Sequence, residues 1–122
     1  MNLKKIIKKK DLYKEYIKIM NGILQLSYRE SEILSLLIII NEQWQPVMST
    51  DYKNILSTDN RKKIMSETRI NKNNLSKYAA MFKNKGIIVK NDKGGFEINS
   101  KILPVIKNNI IEITFLLEIE NE

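Results

Sequence analysis

The stretch "SYRESEILSLLIII", residues 27–40, restricts the folds open to this chain more than any other. Ser27 and Glu30 are spaced as an S-x-x-E capping box, in which each side chain satisfies a backbone N–H at the start of a helix. Behind the box, Ile33, Leu34, Leu36, Leu37 and Ile40 leave that helix almost no polar side. A helix that is apolar nearly all round must be enclosed by other elements, so this one is expected at the centre of the core. With 122 residues, 43% of them hydrophobic, the chain supports a single domain (1–122) and one modest core. Leu36–Ile40 is the longest uninterrupted apolar run and is far too short to span a bilayer.

The flanking sequence supplies the elements that would enclose it. Residues 2–9 form a short basic segment, either a strand or a loose arm. From Asp11, a suitable N-cap, the residues Leu12, Tyr16, Ile19, Met20, Ile23 and Leu24 recur at helical spacing, and Asn21-Gly22 is expected to loosen or end that helix. Residues 41–57 read as a polar connection in which Trp44 is a core or interface anchor. Ser57-Thr58-Asp59 reads as the cap of a short helix with Ile64 and Met65 inward, not as a catalytic cluster. A turn at 69–71 follows, and Asn71 caps a further helix to about Lys85. Gly86 stands where a left-handed residue ends such a helix. "IIVKNDKGGFEIN" then reads as a β-hairpin with its tip at Asp92–Gly95.

In the tail, Ile111, Ile113, Phe115, Leu117 and Ile119 alternate with Glu112, Thr114, Glu118 and Glu120, Leu116 being the exception. That is the period of a half-buried strand, expected over 110–120. The basic segment 2–9 is its expected partner, because Lys opposite Glu across a sheet is favourable.

Charge and composition narrow the function. The net charge is +7, but residues 61–93 alone carry ten Lys and Arg against Glu67 and Asp92. A basic block inside a structured region favours a polyanionic partner; a solvated lysine surface is the plainer alternative. Lys, Asn and Ile make up 53 of the 122 residues, which fits an A/T-rich bacterial or phage genome and is silent on function. There is no cysteine and no histidine, which removes thiol chemistry, zinc–thiolate sites and the commonest general base. Walker A, GxGxxG and nucleophile-elbow motifs are absent as well. The expectation is a protein that is not an enzyme, with no metal, no small-molecule cofactor and no membrane partner. "MNLKKIIKKK" lacks the apolar region of a signal peptide, so a cytoplasmic location in a bacterial host is expected.

Capped helix, short turn, second helix, Gly and hairpin form a recognisable order. "ETRINKNNLSKYAAMFKNKGIIV" resembles the helix-turn-helix segment of MarR-like and related phage winged-helix proteins, with its "T-x-x-x-L-S-x-x-x-x-x-L-x-x-K-G-x-I" pattern. Asn71, Leu75, Ser76, Phe82, Lys85, Gly86 and Ile88 occupy the matching positions. "LSYRESEILSLL" similarly resembles the "L-T-x-R-E-x-E-V-L-x-L-L" opening of such domains. The resemblance covers about residues 26–99. It implies an α+β winged helix-turn-helix fold with a hairpin wing, to which the terminal segments would add a strand pair. Winged helices also serve as protein-binding modules.

With Leu75 as origin of a helical wheel, Ala79 and Phe82 fall within about 40° and Tyr78 within about 60°. Asn73, Lys77, Ala80 and Asn84 lie opposite, Ser76 and Lys83 on a flank, and none is acidic. Asn pairs bidentately with adenine, Lys reaches guanine or phosphate, and the Ala80 methyl can touch a thymine methyl. Because a recognition helix enters the major groove by its N-terminal end, Asn73, Ser76 and Lys77 are the foremost base-edge candidates, with Asn74 beside them. Arg69 and Lys72 are placed to hold phosphates. Lys90 and Lys93 flank the hairpin tip and suit a wing on the minor groove or backbone. The same residues also fit an inert or protein-facing surface.

Two functions are therefore carried forward. One is a sequence-preferring double-stranded DNA-binding protein, a small phage or mobile-element transcriptional regulator, acting as a homo-oligomer with its recognition helix over about 72–85. The other is a winged-helix adaptor of a phage particle or terminase-like packaging complex.

Overall fold

The capped apolar helix is at the centre, as its composition requires. A computed structural model describes residues 3–121. A 3-10 turn at Lys9–Asp11 leads into four helices, α1 (Leu12–Leu24), α2 (Tyr28–Gln43), α3 (Thr58–Thr68) and α4 (Lys72–Asn84). Two small antiparallel hairpins follow, β1 (Ile88–Lys90) with β2 (Phe96–Ile98), and β3 (Ile106–Lys107) with β4 (Ile110–Ile111). The architecture is α+β, and the order α3–turn–α4–hairpin is compatible with a winged-helix layout.

Both halves of the capping box at α2 are formed. The Ser27 N–H donates to Glu30 Oε1 at 2.8 Å, and the Glu30 N–H donates to Ser27 Oγ at 3.2 Å. Ile33, Leu34, Leu37 and Ile38 of α2 are fully enclosed. Around them pack Ile17 of α1, Ile64 of α3, Leu75 and Phe82 of α4, and Ile88 and Ile98 of the first hairpin. Ile70 packs against this core from the turn. Leu36, expected in the same core, is only half-buried and faces a shallow groove between α2 and α3 instead. Asn41, also on α2, is buried and accepts the Ile98 N–H at 2.9 Å. The central helix thus anchors the hairpin by a polar bond as well as by packing.

Two expectations about the ends of α1 need correction. Asn21-Gly22 does not end α1, which continues to Leu24 and stops at Gln25 in the left-handed region (φ 54°). The Asn21 amide instead brackets Leu26, donating to its carbonyl at 2.9 Å and accepting its N–H at 2.7 Å, which folds the chain into α2. Asp11 holds the N-cap position of α1 without a side-chain capping bond.

The expected pairing of strands 2–9 and 110–120 is absent among the described residues; Asn2 itself lies outside them. Asn108 and Asn109 both have positive φ (51° and 61°), the requirement of a tight hairpin turn of the I′ type. They fold Ile110 and Ile111 back onto Lys107 and Ile106, so the tail's first residues pair locally. Beyond, residues 112–121 run without regular structure, and only Ile111 and Ile113 of the apolar stripe are partly shielded. Residues 3–8 are likewise irregular, tied down by an ion pair of Lys5 with Glu15 at 2.9 Å. Among the described residues no helix is long and apolar enough to cross a membrane.

Candidate nucleic-acid interface

The turn between α3 and α4 is built from side-chain caps. Ser57 opens α3 by accepting the Asn60 N–H at 3.3 Å. Arg69 closes it in the left-handed region (φ 59°), with its N–H on the Met65 carbonyl at 2.8 Å. The Arg29 guanidinium, paired with Glu32 at 2.7 Å, donates to the Thr68 carbonyl and holds this end of α3 against α2. Asn71 then opens α4 by accepting the Asn74 N–H at 2.8 Å. These caps place Leu75, Ala79 and Phe82 in the core, as their spacing predicts.

The opposite face of α4 is open. Lys72, Asn73, Asn74, Ser76, Lys77, Ala80, Lys83 and Asn84 are all exposed, as are Arg69 in the turn and Lys90 and Lys93 on the hairpin. All eleven residues singled out from the sequence are therefore at the surface, and helix, turn and hairpin are consecutive parts of one unit. Among the described residues the ion pairs are at Glu15 and Glu32, and none of the ten basic residues of 61–93 takes part in one. Their charge is left uncompensated by carboxylates.

Three of these contacts refine the roles. Lys83 Nζ lies 4.0 Å from the centroid of the Phe96 ring, a cation–π distance. Phe96 is paired in register with Lys90, so Lys83 of α4 meets the ring of the residue opposite Lys90 where α4 joins the hairpin. Ser76 Oγ accepts from Arg61 Nη1 at 3.4 Å, and Arg61 Nε donates to the Leu56 carbonyl at 2.9 Å. Arg61 thus joins the candidate surface from α3. Lys85 leaves it: its Nζ donates to the carbonyls of Leu24 and Gln25 at 3.0 and 3.3 Å and caps α1.

The hairpin is held rigidly against the chain that precedes α3. Ile55 N–H donates to the Phe96 carbonyl at 2.9 Å. Asn91 Nδ2 donates to the Lys53 carbonyl at 2.7 Å, while its Oδ1 accepts the N–H groups of Gly95 and Lys93 at 2.9 and 3.1 Å. A Cβ at Gly95 would stand 2.1 Å from the Lys53 oxygen, so no other residue fits there. Lys53 also lies over the Trp44 ring at 5.7 Å, which leaves Trp44 half-buried in this same junction. Arg61 and Asn91 escaped the sequence reading because Ser76 and the Lys53 carbonyl, which they reach, lie on other elements, and no local spacing announces such contacts.

Comparison with protein-family models, with curated proteins and with solved structures finds no match to this chain.

Proposed function

We propose that this chain is a winged helix-turn-helix protein that binds double-stranded DNA, with α4 in the major groove and the β1–β2 hairpin as the wing. The observation that carries the reading is an exposed basic face on the turn, α4 and the hairpin within 61–93, a stretch of net charge +8, or +7 once Lys85 is set aside on α1, free of carboxylate pairing among the described residues. Polyanion affinity follows from such a surface, since each phosphate neutralised releases counterions. Asn73 and Lys77, exposed in the first turns of α4, are assigned to base edges. Arg69, Lys72, Lys83, Lys90 and Lys93 are assigned to phosphates. Ser76, held by Arg61, sits at the border between the two groups. The role is binding without catalysis, as a small regulator of a phage or mobile element.

The test is an anisotropy titration of labelled duplexes, random and selected, at several salt concentrations. Salt-dependent binding with a preferred sequence is expected. No binding at low salt would overturn the reading.

A second reading, a winged-helix adaptor of a particle or packaging complex, is favoured by one observation: Leu116, Leu117 and Ile119 are more than four-fifths exposed. It predicts a fixed assembly with weak DNA affinity.

A further inference from the structure

Arg61 stands where α3 packs against α4, and its guanidinium is fixed from two sides. Nε donates to the Leu56 carbonyl at 2.9 Å, from the chain just ahead of α3. Nη1 donates to Ser76 Oγ, in the second turn of α4, at 3.4 Å. The side chain is held before any ligand arrives, which spares the entropy of ordering it on binding.

These two contacts do not exhaust the group. A guanidinium carries five N–H donors; with one on Nε and one on Nη1 engaged, three are left, one on Nη1 and both on Nη2. No carboxylate takes them. Arg61 belongs to none of the ion pairs among the described residues, and neither does Asp59, exposed two positions earlier in α3. Nor are the three shut in. Arg61 is half-buried, its Nη2 makes no hydrogen bond, and among the described residues no buried side-chain nitrogen or oxygen lacks a partner. Nη2 therefore opens to solvent.

Ser76 completes the arrangement. Its oxygen accepts from a cation, which turns its own hydrogen away from Arg61. Ser35 and Thr68 return their hydroxyl hydrogens to the carbonyl four residues back; Ser76, which is exposed, makes no such bond among the described residues. Two outward donors thus stand side by side, and one oxygen can sit about 2.9 Å from both at once. A pair that offers only donors, one of them on a permanent cation, complements a phosphate oxygen. It does not complement a base edge that itself presents a donor, such as cytosine N4 or adenine N6.

We propose that Arg61 and Ser76 together clamp one backbone phosphate of the DNA bound by α4. The proposal rests on the DNA-binding reading and adds to it a contact from α3, while moving Ser76 from the base edges to the backbone. Arg61 supplies the charge, Ser76 the second donor, and the Leu56 carbonyl holds the guanidinium in place. Phosphate contacts set the register of a protein on the duplex, so this clamp fixes how the second turn of α4 meets the strand.

Two measurements on the full chain test it. In salt titrations on random duplexes, Arg61→Gln lowers the slope of log affinity against log salt by about one, whereas Ser76→Ala leaves it unchanged, since only the first removes a charge. On the selected duplex, a neutral methylphosphonate replaces one phosphate at a time. One position is expected at which the replacement weakens the parent about tenfold yet leaves the Arg61→Gln and Ser76→Ala proteins at their own affinities. A damaged fold cannot give that pattern, because it weakens binding whichever phosphate is replaced. Absence of salt-dependent binding by the parent fails the DNA reading and the clamp with it. Salt-dependent parent binding with an unchanged slope for Arg61→Gln, or with no position to which both variants are indifferent, overturns the clamp and leaves the DNA reading standing.

Discussion

Asn91→Ala should loosen the hairpin while leaving every lysine of the basic surface in place. The substitution removes three hydrogen bonds, to the Lys53 carbonyl and from the Gly95 and Lys93 N–H groups. Lys93 is exposed, and water replaces its lost partner at little cost. Gly95 is buried, and it and the Lys53 carbonyl keep little access to water, so each of those bonds contributes about 1 kcal/mol. The expected loss is therefore about 2 kcal/mol, or about 6–10 °C in Tm for a domain of this size. Asn91→Asp separates the two contributions, because it keeps the acceptor and loses the donor to Lys53. It should cost at least half as much stability, because a carboxylate oxygen then faces the Lys53 carbonyl, and it should weaken DNA binding more, by placing an acid on the wing. Thermal denaturation gives the first quantity, and hydrogen exchange at the Gly95 amide locates the change. A variant that melts like the parent with a protected Gly95 amide would refute Asn91 as the organiser of the hairpin.

Two further substitutions test the frame behind the interface. Phe82→Ala empties a fully enclosed site and should cost about 3–5 kcal/mol in a denaturant titration; parent-like stability would mean that α4 is turned differently. Tyr16 donates its hydroxyl to the Ile102 carbonyl, and burial pushes its phenol above the ordinary range. Its contribution is therefore complete below the unfolded value of about 10 and is lost as pH rises through the raised folded value. Tyr16→Phe should remove about 1 kcal/mol near neutrality and diminish that alkaline loss. An unchanged alkaline transition would show that Tyr16 does not govern it.

The sequence made the helices legible wherever the signal was local. Ser27 with Glu30, Ser57, Asn71 and Gly86 each act within a few residues of themselves, and each performs the capping or terminating role that its spacing predicts. The buried face of α4 followed from the same 3.6-residue period. The tail was misread because alternation defines a strand's faces and says nothing about its partner. The local turn at Asn108-Asn109 took the first residues, and the rest lacks a partner within the chain. The basic block over 61–93 was legible in the sequence, but the partners of its individual residues were not. Lys85 turned out to cap α1, and Arg61 to stand beside Ser76, through contacts spanning 60 and 15 positions that no periodicity encodes.

The most direct measurement is the salt dependence of duplex binding for the parent and two paired variants. Lys72→Gln with Lys93→Gln removes one cation from α4 and one from the wing, whereas Lys10→Gln with Lys14→Gln removes two from the N-terminal region. If α4 and the hairpin hold the phosphates, the first pair lowers the slope of log affinity against log salt by about two, and the second leaves it unchanged. The reverse pattern, or a slope indifferent to Lys72 and Lys93, would contradict a DNA interface on α4 and the wing.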